Sequence, residues 1–343
     1  MRKFLNTLFV TNENAYLSLE GETVCVEIDG EKAGQFPLHT LDGIVCFSYF
    51  GATPVLMGEC AKRGINLSFY KPYGKFLCRV VGQSQGNVLL RKQQYRVSDN
   101  ENASCVIARN FIFGKVFNCR WSIDRTLRDH ELRINSENCR KAIYFLSESL
   151  EKIKKEENLD TLRGLEGECA SIYFGIFDEL ILNQKENFYF CGRNKRPPLD
   201  NVNAMLSFGY SLLANDCASA LEGVGIDSFV GFMHRDRPGR KSLALDLMEE
   251  LRPILVDRFV LTLINNRQIK VEHFITSNSN AVEFTDDGKK KFLTAWQKHK
   301  KEELVHPYLK ERICWGLVPH IQALLLARHL RGDIDGYPPF LWK

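Results

Sequence analysis

The chain has 343 residues, enough for two domains and a large core, and its 44% hydrophobic and 26% charged residues exclude a disordered or collagen-like protein. A formal net charge of +4 permits nucleic-acid binding without requiring it, so that reading must rest on local clusters. The eleven cysteines show no CxxC spacing, which argues against a zinc ribbon or a thioredoxin-type site and for reduced core thiols in a cytoplasmic protein.

The N-terminal MRKFLNTLFV reads as a first strand rather than a leader, because Asn6 and Thr7 interrupt its apolar run. Nowhere does a run approach the ~18 apolar residues of a membrane span. Strands follow at Ala15–Leu19, Thr23–Ile28 and Ile44–Phe47, punctuated by Glu20-Gly21, Asp29-Gly30 and Asp42-Gly43 as turns. Pro54–Gly64 predicts a short helix. Asn66–Tyr70 and Lys75–Val81 predict strands around a turn at Lys71–Gly74.

From Asn87 the apolar spacing becomes helical and remains so to about Leu182, with Lys141–Lys155 strongly helical. Further helices are expected at Asp200–Leu221, Ser242–Asn265, Asp286–Leu304 and His320–Arg331, and Pro253 should kink or divide the second of them. The expected fold is α+β: a small β-sandwich-like domain over residues 1–84, then a larger all-α domain over residues 85–343. Gly82–Asn87 is the natural hinge.

The segment GFMHRDRPGRKSLALDLMEELRP carries the most chemistry. His234 lies in a loop marked by Pro238-Gly239, and Ser242 is a candidate cap for the following helix. In that helix Asp246 and Glu249 stand at i, i+3, about 60° apart on one face, with Glu250 and Asp257 extending the acidic stripe. The stripe suits either a solvated face or a bound cation. Arg235, Arg237, Arg240 and Lys241 surround His234 just ahead of a helix N-terminus, a setting that favours phosphate. Carboxylates beside a phosphate-binding loop point to metal-assisted phosphoryl transfer.

A third carboxylate, Glu166, sits between Gly164 and Gly167 in LDTLRGLEGECASIYFGIFDELI. Glycines inside a helix cost roughly 1 kcal/mol each, so they suggest either a helix break or the close approach of a backbone or ligand. Tyr173 lies two turns on, as a substrate contact or a core aromatic. Asn203 in PPLDNVNAML is either a packing residue or a group that orients others or touches DNA. Arg193, Lys195 and Arg196 before it could follow phosphates. The lysines over 289–301 are weaker candidates.

Four blocks in order carry a family resemblance: TLRGLEGECASIYF from Thr161, RNKRPPLDNVNAMLSFGYSLL from Arg193, GFMHRDRPGRKSLALDLMEELRP from Gly231, and the closing LLARHLRGDIDGYPPFLWK. Nearly end to end, the chain resembles the CRISPR-associated integrases of spacer acquisition, the Cas1 family, and within it the type I-C subgroup. The resemblance implies a metal site of Glu166, His234 and the Asp246/Glu249 pair, with Glu249 as the final ligand and Asp246 as a second ligand or a water-holding neighbour. It implies Mg2+ or Mn2+ as cofactor, and a homodimer that assembles with the small Cas2-family protein on double-stranded DNA, both prespacer and repeat. Candidate DNA contacts are Tyr173, Arg193, Arg196, Asn203, Arg235, Arg237, Arg240, Lys241 and Ser242.

The implied reaction is transesterification, in which a prespacer 3′-hydroxyl attacks a phosphodiester at a repeat boundary. His234 is a ligand or an acid/base toward the leaving oxygen. Competing readings are a structure-selective nuclease acting on branched DNA in repair, a non-catalytic DNA-binding scaffold, and an unrelated small-molecule metal hydrolase.

Overall fold

The computed structural model describes residues 6–41, 43–71, 76–82, 88–194, 196–278 and 280–343. Asp42, Lys195, most of the Lys71–Gly74 turn and most of the Gly82–Asn87 hinge lie outside these residues. The chain forms two compact units. The first comprises Met1–Gln85, Phe284–Glu302 and Cys314–Leu317; the second comprises Gly86–Glu283, Glu303–Ile313 and Val318–Lys343.

In the first unit, strands β1 (Thr7–Val10), β2 (Ala15–Glu20), β3 (Thr23–Ile28), β4 (Glu31–Pro37), β5 (Gly43–Cys46), β6 (Asn66–Tyr70) and β7 (Phe76–Arg79) build two sheets. One is the antiparallel meander β2-β3-β4; the other has the order β1-β5-β6-β7, with β1, β5 and β6 parallel. Helix α1 (Pro54–Arg63) supplies the crossover that parallel β5 and β6 need. Thr53 caps it, Pro54 starts it, and Gly64 at φ +68° ends it. Apolar residues of both sheets and α1, among them Leu17, Val24, Ile44, Leu56 and Leu67, form one core. Strand β4 escapes the sequence reading because its residues EKAGQFP are almost all exposed and show no apolar alternation.

The second unit is mainly helical: α2 (Val88–Ser98), α3 (Glu101–His130), α4 (Ser136–Ile153), α5 (Leu159–Gly175), α6 (Asn201–Gly223), α7 (Ser242–Glu249) and α8 (Arg258–Asn265). Between α7 and α8 the backbone widens into a π-type turn over Arg252–Asp257, so Pro253 divides the expected long helix. Short ribbons follow, β8 (Phe274–Thr276) with β9 (Val282–Phe284), then β10 (Glu303–Val305) with β11 (Arg312–Cys314). Helix α9 (Asp286–Lys301) belongs to the first unit, where Phe292, Leu293 and Trp296 are buried and Lys289 lies over the Phe47 ring. A boundary at residues 84 and 85 does not describe this return of the chain, which leaves no mark in sequence order. Helix α10 (Val318–Arg331) rejoins the second unit. All eleven cysteines are unpaired, and among the described residues no helix is long and apolar enough to cross a membrane.

Helix α3 is the axis of the second unit. Asn100 caps its start, and it packs against α2, α4, α5 and α7. Gly114 lets α7 approach: a Cβ there would lie 2.8 Å from the Glu250 Cβ. One turn on, Asn118 donates to the carbonyls of Glu250 and Phe340 and accepts the Trp342 N–H. The closing YPPFLW is thereby bound to the back of α7. Buried Glu250 completes this junction by accepting from the Tyr337 hydroxyl, the Gln322 amide at 2.9 Å and the Phe340 N–H at 2.7 Å. Burial lifts the Glu250 carboxyl to about 7 against the pull of these donors.

His306 is also fully buried. Its Nδ1 accepts the N–H groups of Tyr308 and Leu309, and its Nε2 lies 3.2 Å from the Gln322 Oε1. Burial lowers its pKa from the usual 6.5 to about 4, so the imidazole folds neutral. Below pH 6.5 the unfolded chain takes up a proton that the folded chain refuses. The stability this site contributes is therefore complete above 6.5 and falls as the pH drops toward 4. Urea titrations at pH 7 and pH 5 should show the wild type losing about 2 kcal/mol relative to His306→Gln.

Candidate active site

Helix α7 is buried on every side. Asp246, Glu249, Glu250 and, beyond the wide turn, Asp257 are each at most 4% exposed. Buried carboxylates demand partners, and each of the four finds a different one.

Asp246 serves the loop ahead of the helix. Its Oδ2 accepts the N–H groups of Phe232 and Met233 at 2.7 and 3.0 Å, and its Oδ1 accepts the His234 N–H at 3.0 Å. The same Oδ1 lies 2.5 Å from the His234 Nδ1. Both oxygens are thus occupied in folding the loop and orienting the imidazole, whose Nε2 makes no hydrogen bond to any described residue. Ser242 does not cap α7. It is fully buried, and its hydroxyl donates to the Arg235 carbonyl. From α2, Gln94 holds the carbonyls of Asp227 and Val230, and Ser98 holds that of Gly231. From α5, Arg163 donates twice to the Met233 carbonyl.

Glu249 faces α3. Its Oε2 lies 2.8 Å from the Lys115 ammonium, which also contacts the Glu166 carboxylate from α5. Its Oε1 lies 3.1 Å from Arg252. Burial alone would raise the Glu249 pKa, but Arg252, Lys115 and His234 together hold it near 2. Lys115 and Arg252 are the residues that the sequence reading missed. A lone lysine inside the apolar run NFIFGKVFN was the available signal for the first.

Behind this pair, the Arg252 guanidinium lies 5.2 Å from the Tyr210 ring centre, and the Tyr210 hydroxyl donates to Asp257. Burial lifts the Asp257 carboxyl to about 6. A cavity of about 40 Å3 separates these groups, lined by Lys115, Tyr173, Arg193, Tyr210, Arg252 and Asp257.

The family model for CRISPR-associated protein Cas1 matches residues 8–298. A CRISPR-associated endonuclease Cas1 of Rhodospirillum rubrum is 49% identical over 347 residues, and one of Chlorobaculum tepidum is 46% identical over 343; each alignment covers all of both chains. The chain belongs to the Cas1 family of CRISPR-associated endonucleases. The fold agrees with a casposase solved with its integration product, at TM-score 0.84 and 23% identity over 98% of this chain and 93% of that one.

Within this Cas1-family chain the candidate DNA contacts divide. Arg235 and Arg237 are exposed, Arg240 and Lys241 half-buried, and Arg196 exposed in the loop before α6. Tyr173 is buried in the aromatic core beside Phe174 and Phe177, so it is not presented to a duplex. Asn203 is fully buried. It accepts from Arg193 and Asn194 and donates to the Gly192 carbonyl and to Asp200, which pins the loop instead of touching DNA. Arg193 itself spends its guanidinium on Asn203, Ser207 and the Tyr210 ring. Burial of Ser242 likewise removes it from any surface.

The donor set fits a divalent cation. Glu249 Oε2 is buried without a well-aligned hydrogen bond, although the Lys115 ammonium is within ion-pair distance. Glu166 and Glu249 already share one cation, and the His234 Nε2 offers a third donor of a second type. Among the described residues, no three metal-ligating side chains form a ready-made cluster.

The glycines that flank Glu166 do not make room for a neighbour, since a Cβ at Gly164 or Gly167 would meet nothing within 4 Å. Gly231 is the constrained position: a Cβ there would lie 2.8 Å from the His234 carbonyl oxygen and 2.9 Å from Asp246 Oδ2. In thermal melts, Gly164→Ala should stabilise the chain by up to about 1 kcal/mol. Gly231→Ala should destabilise it by about 1–3 kcal/mol.

Proposed function

We propose that the protein is a metal-dependent DNA integrase that inserts short duplexes into a CRISPR array. The observation that carries this reading is the convergence of Glu166 and Glu249, from two helices, on one cation beside an imidazole fixed by Asp246. Nucleases of this family are metal-dependent. Here Glu166, Glu249 and the His234 Nε2 would hold Mg2+ or Mn2+, oxygen donors suiting the first and the imidazole the second. Asp246 acts through His234 as a positioning residue. When bound, the ion lowers the pKa of an attacking hydroxyl and stabilises the charge of a five-coordinate phosphate.

In this reading the 3′-oxygen of the incoming strand bonds to phosphorus at the repeat boundary while the bond from that phosphorus to the target strand's 3′-oxygen breaks. His234 is poised to pass a proton to that leaving oxygen if it is not a ligand. Arg235, Arg237, Arg240 and Lys241 bind backbone phosphates ahead of the α7 N-terminus, and Arg196 extends this surface. Dimerisation belongs to the β unit that residues 1–84 build together with the returning α9, and catalysis to the helical unit. The homodimer works with a Cas2-family partner, in the cytoplasm, where the eleven thiols stay reduced. The resemblance carried by the four motif blocks supports reading the chain as one of the type I-C subgroup.

Strand transfer tests the proposal. A labelled duplex with free 3′-hydroxyls, a repeat-bearing target and the Cas2 partner are incubated with protein in Mg2+, Mn2+ or EDTA. Joined product should require metal and vanish in Glu166→Ala and Glu249→Ala. Cleavage without joining would instead support a branched-DNA nuclease, and binding without either reaction a scaffold. Arg235→Ala combined with Arg237→Ala should weaken duplex binding for every sequence and reduce the log–log salt slope by about two.

A further inference from the structure

The charges around Glu166 and Glu249 balance before any metal arrives. Two carboxylates face two cations, Lys115 and Arg252. Adding a divalent ion to this set, in which Glu249 and Lys115 are buried, would leave two uncompensated positive charges, and excess charge beside buried groups is unfavourable. One resident cation must therefore yield. Arg252 is fixed, with its guanidinium over the Tyr210 ring and against Glu249. Lys115 carries a compact ammonium on a flexible four-carbon stem. It also lines the 40 Å3 cavity, as do Asp257 and Tyr173. That volume accommodates a group the size of one water or one ammonium.

We infer that Lys115 is a displaceable internal counter-ion: its ammonium holds Glu166 and Glu249 together until a divalent cation takes them, then moves into the cavity beside Asp257. The lysine pre-shapes the site by keeping two helices' carboxylates in register, and it opposes metal capture by occupying their charge. This inference rests on the metal site proposed above.

The test is Mn2+ binding to the intact, DNA-free protein, followed by electron paramagnetic resonance and checked by calorimetry. Lys115→Met should bind Mn2+ at least tenfold more tightly than wild type. Asp257→Asn should weaken binding in the wild-type background, because the displaced ammonium loses its new partner, and should have no effect in the Lys115→Met background. Should Lys115→Met fail to fold, Lys115→Gln keeps hydrogen bonding to both carboxylates without the charge and carries the same comparison. Unchanged or weaker binding in the lysine variant overturns the counter-ion role, as does an Asp257→Asn effect that persists without the lysine. Glu166→Gln separates the two ideas: if it binds Mn2+ like wild type, the metal-site reading itself is wrong and the inference falls with it.

Discussion

The second unit is organised by the burial of four carboxylates on one short segment. Asp246, Glu249, Glu250 and Asp257 lie within twelve residues, and none is more than 4% exposed. A buried carboxylate left without partners is costly enough to undo a fold. The surrounding structure can be read as four answers to that constraint. Asp246 gathers the amides of the His234 loop, Glu249 takes Lys115 and Arg252, Glu250 binds the closing segment and α10, and Asp257 takes Tyr210. Three of these answers use elements distant in sequence, so the same electrostatic demand that orders the site also ties α3, α6, α10 and the C-terminal residues to it.

This arrangement separates tasks that one acidic stripe would otherwise share. Asp246 is spent on backbone amides and an imidazole, which fixes His234 by Nδ1 and leaves Nε2 for chemistry. Glu249, with its pKa held near 2, stays ionised at any physiological pH. The Glu250 junction faces away from both and anchors α7 from behind. Its donors are two side chains and a backbone amide, so its geometry is set by Tyr337, Gln322 and the fold of the tail together. The basic loop adds a surface of one sign ahead of a helix start, where phosphate is favoured by both side-chain charge and backbone dipole.

Much of this was legible in one dimension. Period-2 runs bounded by Gly turns located most of the β strands, and 3.6-period runs located the helices; the grouping of Glu166, His234, Asp246 and Glu249 was an expectation carried by the resemblance of the motif blocks. The failures share a cause. Strand β4 is exposed, so it has no apolar rhythm; α9 packs back on the first unit, and sequence order is silent about such returns. The glycines beside Glu166 suggested a helix break or close approach but lie within α5 and face open space, while Gly114 and Gly231, unremarkable in sequence, are pressed against neighbours.

The sequence by itself determined the two-part α+β organisation, the family, and the residue types available for metal and phosphate, because these follow from periodicity and from local motifs. Only the tertiary structure decided which polar groups are buried and what each one touches. Tyr173, Asn203 and Ser242 are each open to a surface or an internal reading in a string of letters and prove to be buried, and Arg193 is spent on Asn203. Lys115 looks like an interruption in an apolar helix and lies against both candidate ligands. The reason is physical: pairing energies between charged groups depend on separation and burial in space, and neither quantity is encoded in the spacing of residues along the chain.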